Sequence, residues 1–212
     1  MSPRRAKAVQ GRVGDDPATA LREHLIDAAE RLLAERQVTA ITTRDIARGA
    51  GVSDGVLYNY FAGKQDLLVA AVLRRYRRIA ERFDTDLPRP GTGDVEANLI
   101  AYCEAARTFQ AELLPIAASL LSDPALLHRL LAEIHHQPFS PQHTHDRVRD
   151  YLAGEAALGR VPTDVDPDSA AILLLGGSFF VAMREHMVGH AGIDPLRPQV
   201  PALVRALLRG AR

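Results

Sequence analysis

The sequence predicts an all-α protein, with an N-terminal three-helix helix-turn-helix domain joined to a larger C-terminal helical bundle. From Ala20 onward, apolar residues recur at helical spacing, which is typical of helices with one buried face. No stretch alternates apolar and polar residues convincingly enough to predict a strand. The architecture is therefore expected to consist of packed helices alone.

Composition excludes several classes of protein. The chain is 47% hydrophobic and 25% charged, with Cys103 as its only cysteine. This composition is typical of a folded globular protein, and one cysteine excludes both an internal disulfide and a zinc site built from several thiolates. The start lacks a secretory apolar stretch, and the uncharged run 169–183, at 15 residues, is shorter than the roughly 20 residues of a spanning helix. We expect a soluble, cytoplasmic protein with no membrane partner.

The zero net charge conceals an uneven distribution. Residues 1–84 contain 15 Lys+Arg against 11 Asp+Glu, and the remainder carries the opposite excess. Such a modest imbalance fits either a solvated surface or a polyanionic partner. Residues 1–18 show no apolar periodicity and predict a flexible basic arm, which either follows phosphates or serves as a solubilising tail.

The first helix is expected from Ala20 to about Gln37, and two short helices follow it. Thr42 and Asp45 have the spacing of a capping box at the start of one helix. Gly51 supplies the left-handed conformation for the turn that ends it. Ser53 is the predicted cap of the next helix, which extends to about Tyr60. Two short helices joined by such a turn indicate a helix-turn-helix.

The remaining elements are also predicted to be helices. A long helix from Lys64 to about Phe83 ends before the Pro90–Gly93 break, which is a candidate domain boundary. The predicted helices beyond this break are 95–109, a piece interrupted by Pro115 that ends at Leu121, 124–135, 146–158, 167–188 and 195–208. Arginines 74, 75, 77 and 78 on the long helix favour a solvated, salt-bridging face over a DNA contact.

The segment TTRDIARGAGVSDGVLYNYFAGKQDLL closely resembles the N-terminal signature of the TetR family of transcription regulators. The matching elements are Ile46-Ala47, Ala50-Gly51-Val52-Ser53, Gly55, Leu57-Tyr58, Phe61, Lys64 and Leu67. The resemblance covers about residues 20–68 and implies a DNA-binding domain over 19–66. It also implies a ligand-binding and dimerisation domain over 67–212.

By this resemblance, the helix Asp54–Tyr60 enters the major groove of double-stranded DNA. Gly55 would let the backbone approach the bases, and Asn59 and Arg44 would contact base edges or phosphates. The remaining DNA-binding candidates are the helix-start residues Ser53 and Asp54 and the phosphate contacts Thr43, Tyr58, Tyr60 and Lys64.

Three of these residues have alternative interpretations. Tyr58 is either a phosphate contact or a core residue, and Thr43 is either a contact or part of the cap. Asp54 repels DNA unless it accepts a hydrogen bond from cytosine N4 or simply favours the helix N-terminus. We favour the helix-terminal role for Asp54.

The resemblance further implies that the larger domain binds a small-molecule effector. Few charges interrupt its apolar patterns, so we expect a largely apolar effector, although each lining candidate also has a plain core interpretation. The ligand-binding candidates are Leu99, Tyr102, Cys103, Phe109, Leu113, Ile116, Leu120, Tyr151, Phe179 and Met183.

The resemblance also suggests a homodimer through the helices Asp146–Leu158 and Pro167–Val188. The apolar run 170–183 indicates a helix buried either within an oligomer or in the core of a monomer. A two-fold dimer predicts a palindromic operator.

Enzymatic and metal-dependent functions are not supported. The sequence has no glycine-rich phosphate loop, no serine elbow and no HExxH pair, so we predict no catalytic residues and no cofactor. Segment 135–145 contains four histidines, and we interpret it as a loop with exposed histidines rather than a metal site. Cys103 is expected to be a buried structural thiol.

The function predicted is that of a dimeric repressor released from its operator by the effector. The alternative is a helical small-molecule-binding protein with weak or lost operator binding, which Asp54 alone supports.

Overall fold

The structure is a computed structural model that describes residues 16–83, 86–135, 137, 140–162, 164–188 and 199–209. Every regular element among these residues is a helix, as predicted. The chain divides into two compact units. The first comprises residues up to Arg77 together with Ile116–Glu133, and the second comprises Arg78–Pro115 together with residues from Ile134 onward. The division thus falls neither after residue 66 nor at the Pro90–Gly93 break, and the functional assignment of 19–66 and 67–212 stays a prediction.

The first unit begins with helix α1, Pro17–Glu35. It starts before the predicted Ala20, and inside the predicted arm, because a proline in the first turn lacks only an N–H that would have no helical partner. It ends two residues before Gln37. Residues 1–15 of the predicted arm lie outside the described part of the chain. The buried face of α1 consists of Leu25, Ile26, Ala28 and Ala29.

Helices α2, Thr43–Gly49, and α3, Asp54–Leu57, form the predicted helix-turn-helix. The capping box is confirmed at the start of α2, and Gly51 has the expected left-handed backbone, with φ 66°. Their apolar side chains face inward, since Ile46, Ala47 and Leu57 are fully buried.

Helix α3 is shorter than predicted. Beyond Leu57, the amides of Asn59 and Tyr60 donate to the carbonyls three residues earlier, so the chain continues in tighter turns rather than in α-helix. Ser53 occupies the N-cap position, but its side chain makes no capping hydrogen bond. The predicted position of the cap is therefore right and its predicted bond is wrong.

Helix α4, Lys64–Glu81, is tied to α1 through one arginine. The Arg74 guanidinium contacts the carboxylates of Glu23, Asp27 and Glu30 at 2.9, 2.5 and 2.9 Å respectively. These three acids lie on one face of α1, because their spacing is helical. The salt-bridging interpretation is confirmed for Arg74.

Helix α5, Val95–Leu120, is continuous, whereas the sequence predicted an interruption at Pro115. A proline inside a helix removes one hydrogen bond and costs about 3 kcal/mol. The helix nonetheless passes through this exposed residue, because helical stability in proteins comes largely from packing of the apolar face. Helix α6, Pro124–His135, has the predicted bounds.

The second unit contains helix α7, Pro141–Ala157, which begins five residues before the predicted Asp146. Ser140 caps it by accepting a hydrogen bond from the His143 amide at 3.2 Å, and Pro141 is in the first turn. His143 and His145 therefore lie on a helix, and the prediction of a histidine-bearing loop is wrong there. His136 lies outside the described residues. Within the described residues, no three potential ligands cluster as a metal site would require.

Helices α8, Pro167–Val188, and α9, Gln199–Arg209, complete this unit. The bounds of α8 are those predicted. The predicted start of α9 at Pro195 lies outside the described residues. The apolar core of the unit draws on α5, α7, α8 and α9.

Helix α8 is apolar on two sides that differ in exposure. Ala170, Ala171, Leu174, Val181 and Ala182 are buried against the unit. Large apolar side chains remain exposed elsewhere on the helix, namely Ile172, Leu173, Phe179, Phe180, Met187 and Val188.

This exposure excludes one of the two interpretations of the apolar run 170–183. Helix α8 is not the all-round core helix of a monomer. By length and composition alone, α8 is also the one helix among the described residues that is long and apolar enough to cross a membrane, and core helices of soluble proteins pass the same test.

Candidate nucleic-acid interface

Two side chains of α1 hold the C-terminal end of α2. His24 Nε2 lies 3.0 Å from the carbonyl oxygen of Ala50, and the Arg31 guanidinium donates to the carbonyl of Gly49 at 3.2 Å. The last carbonyls of a helix have no partner inside it, and a basic group is favourable there. Neither His24 nor Arg31 has a predicted role, because they lie 26 and 18 residues along the sequence from the carbonyl groups that they contact.

The N-terminal end of α2 is closed by its capping box. Asp45 N–H donates to Thr42 Oγ1 at 3.1 Å, and Asp45 Oδ2 accepts from the Thr42 amide and hydroxyl at 3.1 and 2.6 Å. These hydrogen bonds from the Thr42 hydroxyl and amide lower the pKa of Asp45 below its usual value. Thr42 forms the cap, so the alternative role of Thr43 as part of it is wrong.

The predicted base-contacting residues are exposed. The Arg44 side chain is 76% exposed and Asn59 is exposed as well. Gly55 is open, with no atom within 4 Å of the position that a Cβ would occupy. Arg44, Asn59 and the Gly55 backbone are therefore accessible, and accessibility is what base recognition first requires.

The predicted phosphate contacts surround these residues along the chain. Tyr58 is 58% exposed, so its interpretation as a core residue is wrong. Thr43, Tyr60 and Lys64 are half-buried. Lys64 Nζ donates to the Ile41 carbonyl at 3.0 Å, which fixes the start of α4 next to the segment leading into α2. An ammonium has three donors, so two remain for a phosphate.

Asp54 contacts one of the predicted base-contacting residues. Arg44 Nε lies 3.4 Å from Asp54 Oδ2 across the turn between α2 and α3. Both side chains are well exposed, at 76% and 49%. An exposed pair of this kind contributes little to stability, so its importance lies in what Arg44 contacts.

The ligand-binding candidates are distributed over both units. Leu99, Tyr102, Cys103 and Tyr151 are buried in the core of the second unit, and Phe109 packs against them. The structure does not place the other candidates in this cluster: Leu113 and Met183 are half-buried, Phe179 is 43% exposed, and Ile116 and Leu120 belong to the first unit.

Aromatic rings pack against one another in the core of the second unit. The ring of Phe83 lies 5.8 Å from that of Tyr102 and 5.4 Å from that of Phe109. Burial raises the pKa of Tyr102 to about 12 and that of the Cys103 thiol to about 11. Cys103 is therefore the buried, protonated thiol that was predicted, and thiolate chemistry at neutral pH is disfavoured.

The similarity to known proteins includes the part of the chain that contains the helix-turn-helix. The family model described as "Bacterial regulatory proteins, tetR family" matches residues 25–71. This range contains α2, α3 and every predicted DNA-binding residue. The transcriptional regulator AlkX of Mycobacterium tuberculosis is 34% identical over 107 residues, which are 50% of this chain and 49% of AlkX. The transcriptional repressor KstR2 of the same species is 40% identical over 76 residues, covering 32% of this chain and 38% of KstR2.

These sequence matches span about half or less of the length of the curated relatives. A solved structure extends the similarity of fold to most of the chain. The structure of the transcriptional regulator FadR of Bacillus subtilis in complex with stearoyl-CoA aligns with 90% of this chain and with 99% of the FadR chain, with a TM-score of 0.59 and 18% identity. At this identity the similarity shows a shared fold.

Proposed function

We propose that the chain is a ligand-responsive, sequence-specific DNA-binding transcription regulator of the TetR family, whose family model matches residues 25–71. The observation that carries this proposal is the exposed surface of α2 and α3 within the matched residues 25–71. There, Arg44, Gly55 and Asn59 are open to a ligand on a scaffold fixed at both ends of α2.

The DNA contacts are assigned by chemistry and exposure. Arg44 and Asn59 carry the donors that recognise guanine and adenine in the major groove. Thr43, Tyr58, Tyr60 and Lys64 supply hydroxyl and ammonium donors for phosphates, which position the protein without specifying sequence. Ser53 and Gly55 lie at the start of α3, where the backbone approaches the bases.

The active form is a homodimer through α7 and α8. The support is the exposed apolar side of α8, which includes Ile172, Leu173 and Phe180. Soluble proteins rarely leave a contiguous apolar patch of this kind open unless it is an interaction site. A two-fold dimer places two recognition elements about 34–36 Å apart, or near a multiple of that spacing, on a palindromic operator.

A small, largely apolar effector bound by the second domain, predicted as residues 67–212, releases the protein from DNA. The support is the apolar and aromatic core of the second unit, and stearoyl-CoA is the ligand of the Bacillus subtilis FadR structure. An effector acts by binding one conformational state better than another, and a coupling of about 1–3 kcal/mol shifts affinity 5- to 150-fold. Repression is the proposed mode because the relative KstR2 is named a repressor.

We further propose that the protein is cytoplasmic and has no enzymatic activity. The support is that the curated proteins it resembles are bacterial transcription regulators. The alternative of a helical ligand-binding protein without operator binding rested on Asp54. The contact between Asp54 and Arg44 gives that carboxylate a cationic partner at the interface, so it no longer favours the alternative.

A gel-shift titration with the DNA upstream of the protein's own coding region tests this function. We expect a discrete complex that resists competition by unrelated DNA and weakens steeply with salt, because phosphate contacts release counterions. Stearoyl-CoA or a free long-chain fatty acid is then added to the complex as a probe of release. Equal binding to unrelated DNA, or no binding, would contradict the proposal.

A further inference from the structure

A carboxylate on a DNA-binding surface needs an explanation, because phosphates repel it. Asp54 is the first residue of α3 and its side chain is 49% exposed. Two explanations came from the sequence: a hydrogen bond from cytosine N4, or a favourable place at a helix N-terminus. The second is weak, because α3 has only four residues and the helix dipole is a sum over aligned peptides.

The structure provides a third explanation in the contact with Arg44. Asp54 Oδ2 lies 3.4 Å from Arg44 Nε, and the two residues belong to successive helices joined by the turn at Gly51. Their charges cancel locally, so the carboxylate is compensated where the interface would meet phosphates. An exposed arginine has many rotamers, and this contact favours those that lie over the start of α3.

The contact also determines which donors of Arg44 remain available. A guanidinium has five N–H donors in a rigid fork. With Nε directed at Asp54, the end-on pair of N–H groups, one on Nη1 and one on Nη2, stays available for a second acceptor. Two parallel N–H donors match the O6 and N7 acceptors of guanine, which is the commonest specific contact in the major groove.

We infer that Asp54 is a positioning residue that orients Arg44 for bidentate recognition of one guanine in each half-site. This inference rests on the proposed function and adds a specificity-determining pair to it. Asp54 touches no base; it acts on one base pair of the operator through Arg44. Preorganisation of this kind reduces the entropy lost when the side chain binds.

The experiment is selection of binding sites from random DNA by the full chain, followed by titrations on the selected site and its single-base variants. We expect Arg44→Ala to lose discrimination at one G·C pair by about 5- to 150-fold. Asp54→Asn should reduce discrimination at that same pair by about fivefold, since an exposed ion pair orients its partner only modestly. The double variant should lose no more than Arg44→Ala alone, because the two residues act as one unit.

Two matched controls separate orientation from charge. Glu81→Gln removes a carboxylate charge from the exposed last residue of α4, outside the predicted DNA-binding residues, and should leave base preference unchanged. Lys64→Ala should weaken binding to all sequences about equally, as expected for a phosphate contact.

Several results would overturn the inference. An increase in affinity of Asp54→Asn for all sequences, with base preference unchanged, would show that Asp54 only repels DNA. A loss at a different base pair from that of Arg44→Ala would show direct recognition of cytosine. Both results require sequence-specific binding by the unmodified protein, so they leave the proposed function standing. Failure of the unmodified chain to enrich any sequence would overturn both this inference and the proposed function.

Discussion

One glycine sets the geometry of the turn between α2 and α3. Gly51 has φ 66°, in the left-handed region that side chains with a Cβ rarely adopt. No atom lies within 4 Å of the position its Cβ would take. A substitution there therefore meets backbone strain and no steric clash, which makes the energetic effect simple to interpret.

We predict that Gly51→Ala lowers the free energy of unfolding by about 1–2 kcal/mol, the cost of the left-handed conformation. Gly55→Ala is the matched control, because Gly55 is equally open but has no positive φ and lies in α3. There, alanine should leave stability unchanged or raise it by up to about 1 kcal/mol. Urea unfolding of both variants measures the difference, and equal stability changes would contradict the strain argument.

The sequence predicts contacts between residues that are close along the chain better than contacts between distant ones. The Thr42–Asp45 capping box and the Gly51 turn were predicted because each depends on residues within one helical turn. The contacts of His24 and Arg31 with the end of α2 were not, since they require knowledge of how α1 packs. The Arg44–Asp54 contact likewise depends on the angle between two helices.

At the level of elements, α8 has the most informative surface. Its buried side packs in the core of the second unit, whereas Phe180 on the opposite side is 54% exposed. Phe179 is 43% exposed, and Ile172 and Leu173 are more than half exposed. The burial of such side chains in a dimer would contribute about 25 cal/mol for each Å² of apolar surface.

We predict that Phe180→Glu dissociates the proposed dimer, because burial of an unpaired charge costs about 3–5 kcal/mol. Leu131→Glu is the control, since Leu131 is similarly exposed, at 51%, but lies on α6. Sedimentation equilibrium should show a dimer for the unmodified chain and the control and a monomer for Phe180→Glu. A Phe180→Glu dimer as tight as the unmodified one would exclude this face as the interface.

The bounds of the elements were predicted well where caps and patterns agree. Helix α8 begins and ends as predicted, and α6 does too. The errors occurred where packing overrides local preference: α5 continues through Pro115, and α3 gives way to tight turns after Leu57. Helix α7 begins earlier than predicted, at Pro141. The sequence contains a signal for this start, because Ser140 is a typical cap and Pro141 a typical first-turn residue.

At the level of the whole molecule, the chain is neutral because a basic N-terminal part balances an acidic remainder. The candidate DNA-binding residues lie in the first unit, and the exposed side of α8 lies in the second. The predicted DNA contacts and the proposed dimer surface thus belong to separate units. The ligand-binding candidates stay a prediction, because core and cavity positions have the same apolar pattern in a sequence.

The most direct test of this account is a hydroxyl-radical footprint on the selected operator, combined with the stoichiometry of the complex. We predict two protected half-sites related by a dyad, with centres about 34–36 Å apart or near a multiple of that spacing. We also predict that two chains bind each operator. A footprint without dyad symmetry, or specific binding by a single chain, would contradict it.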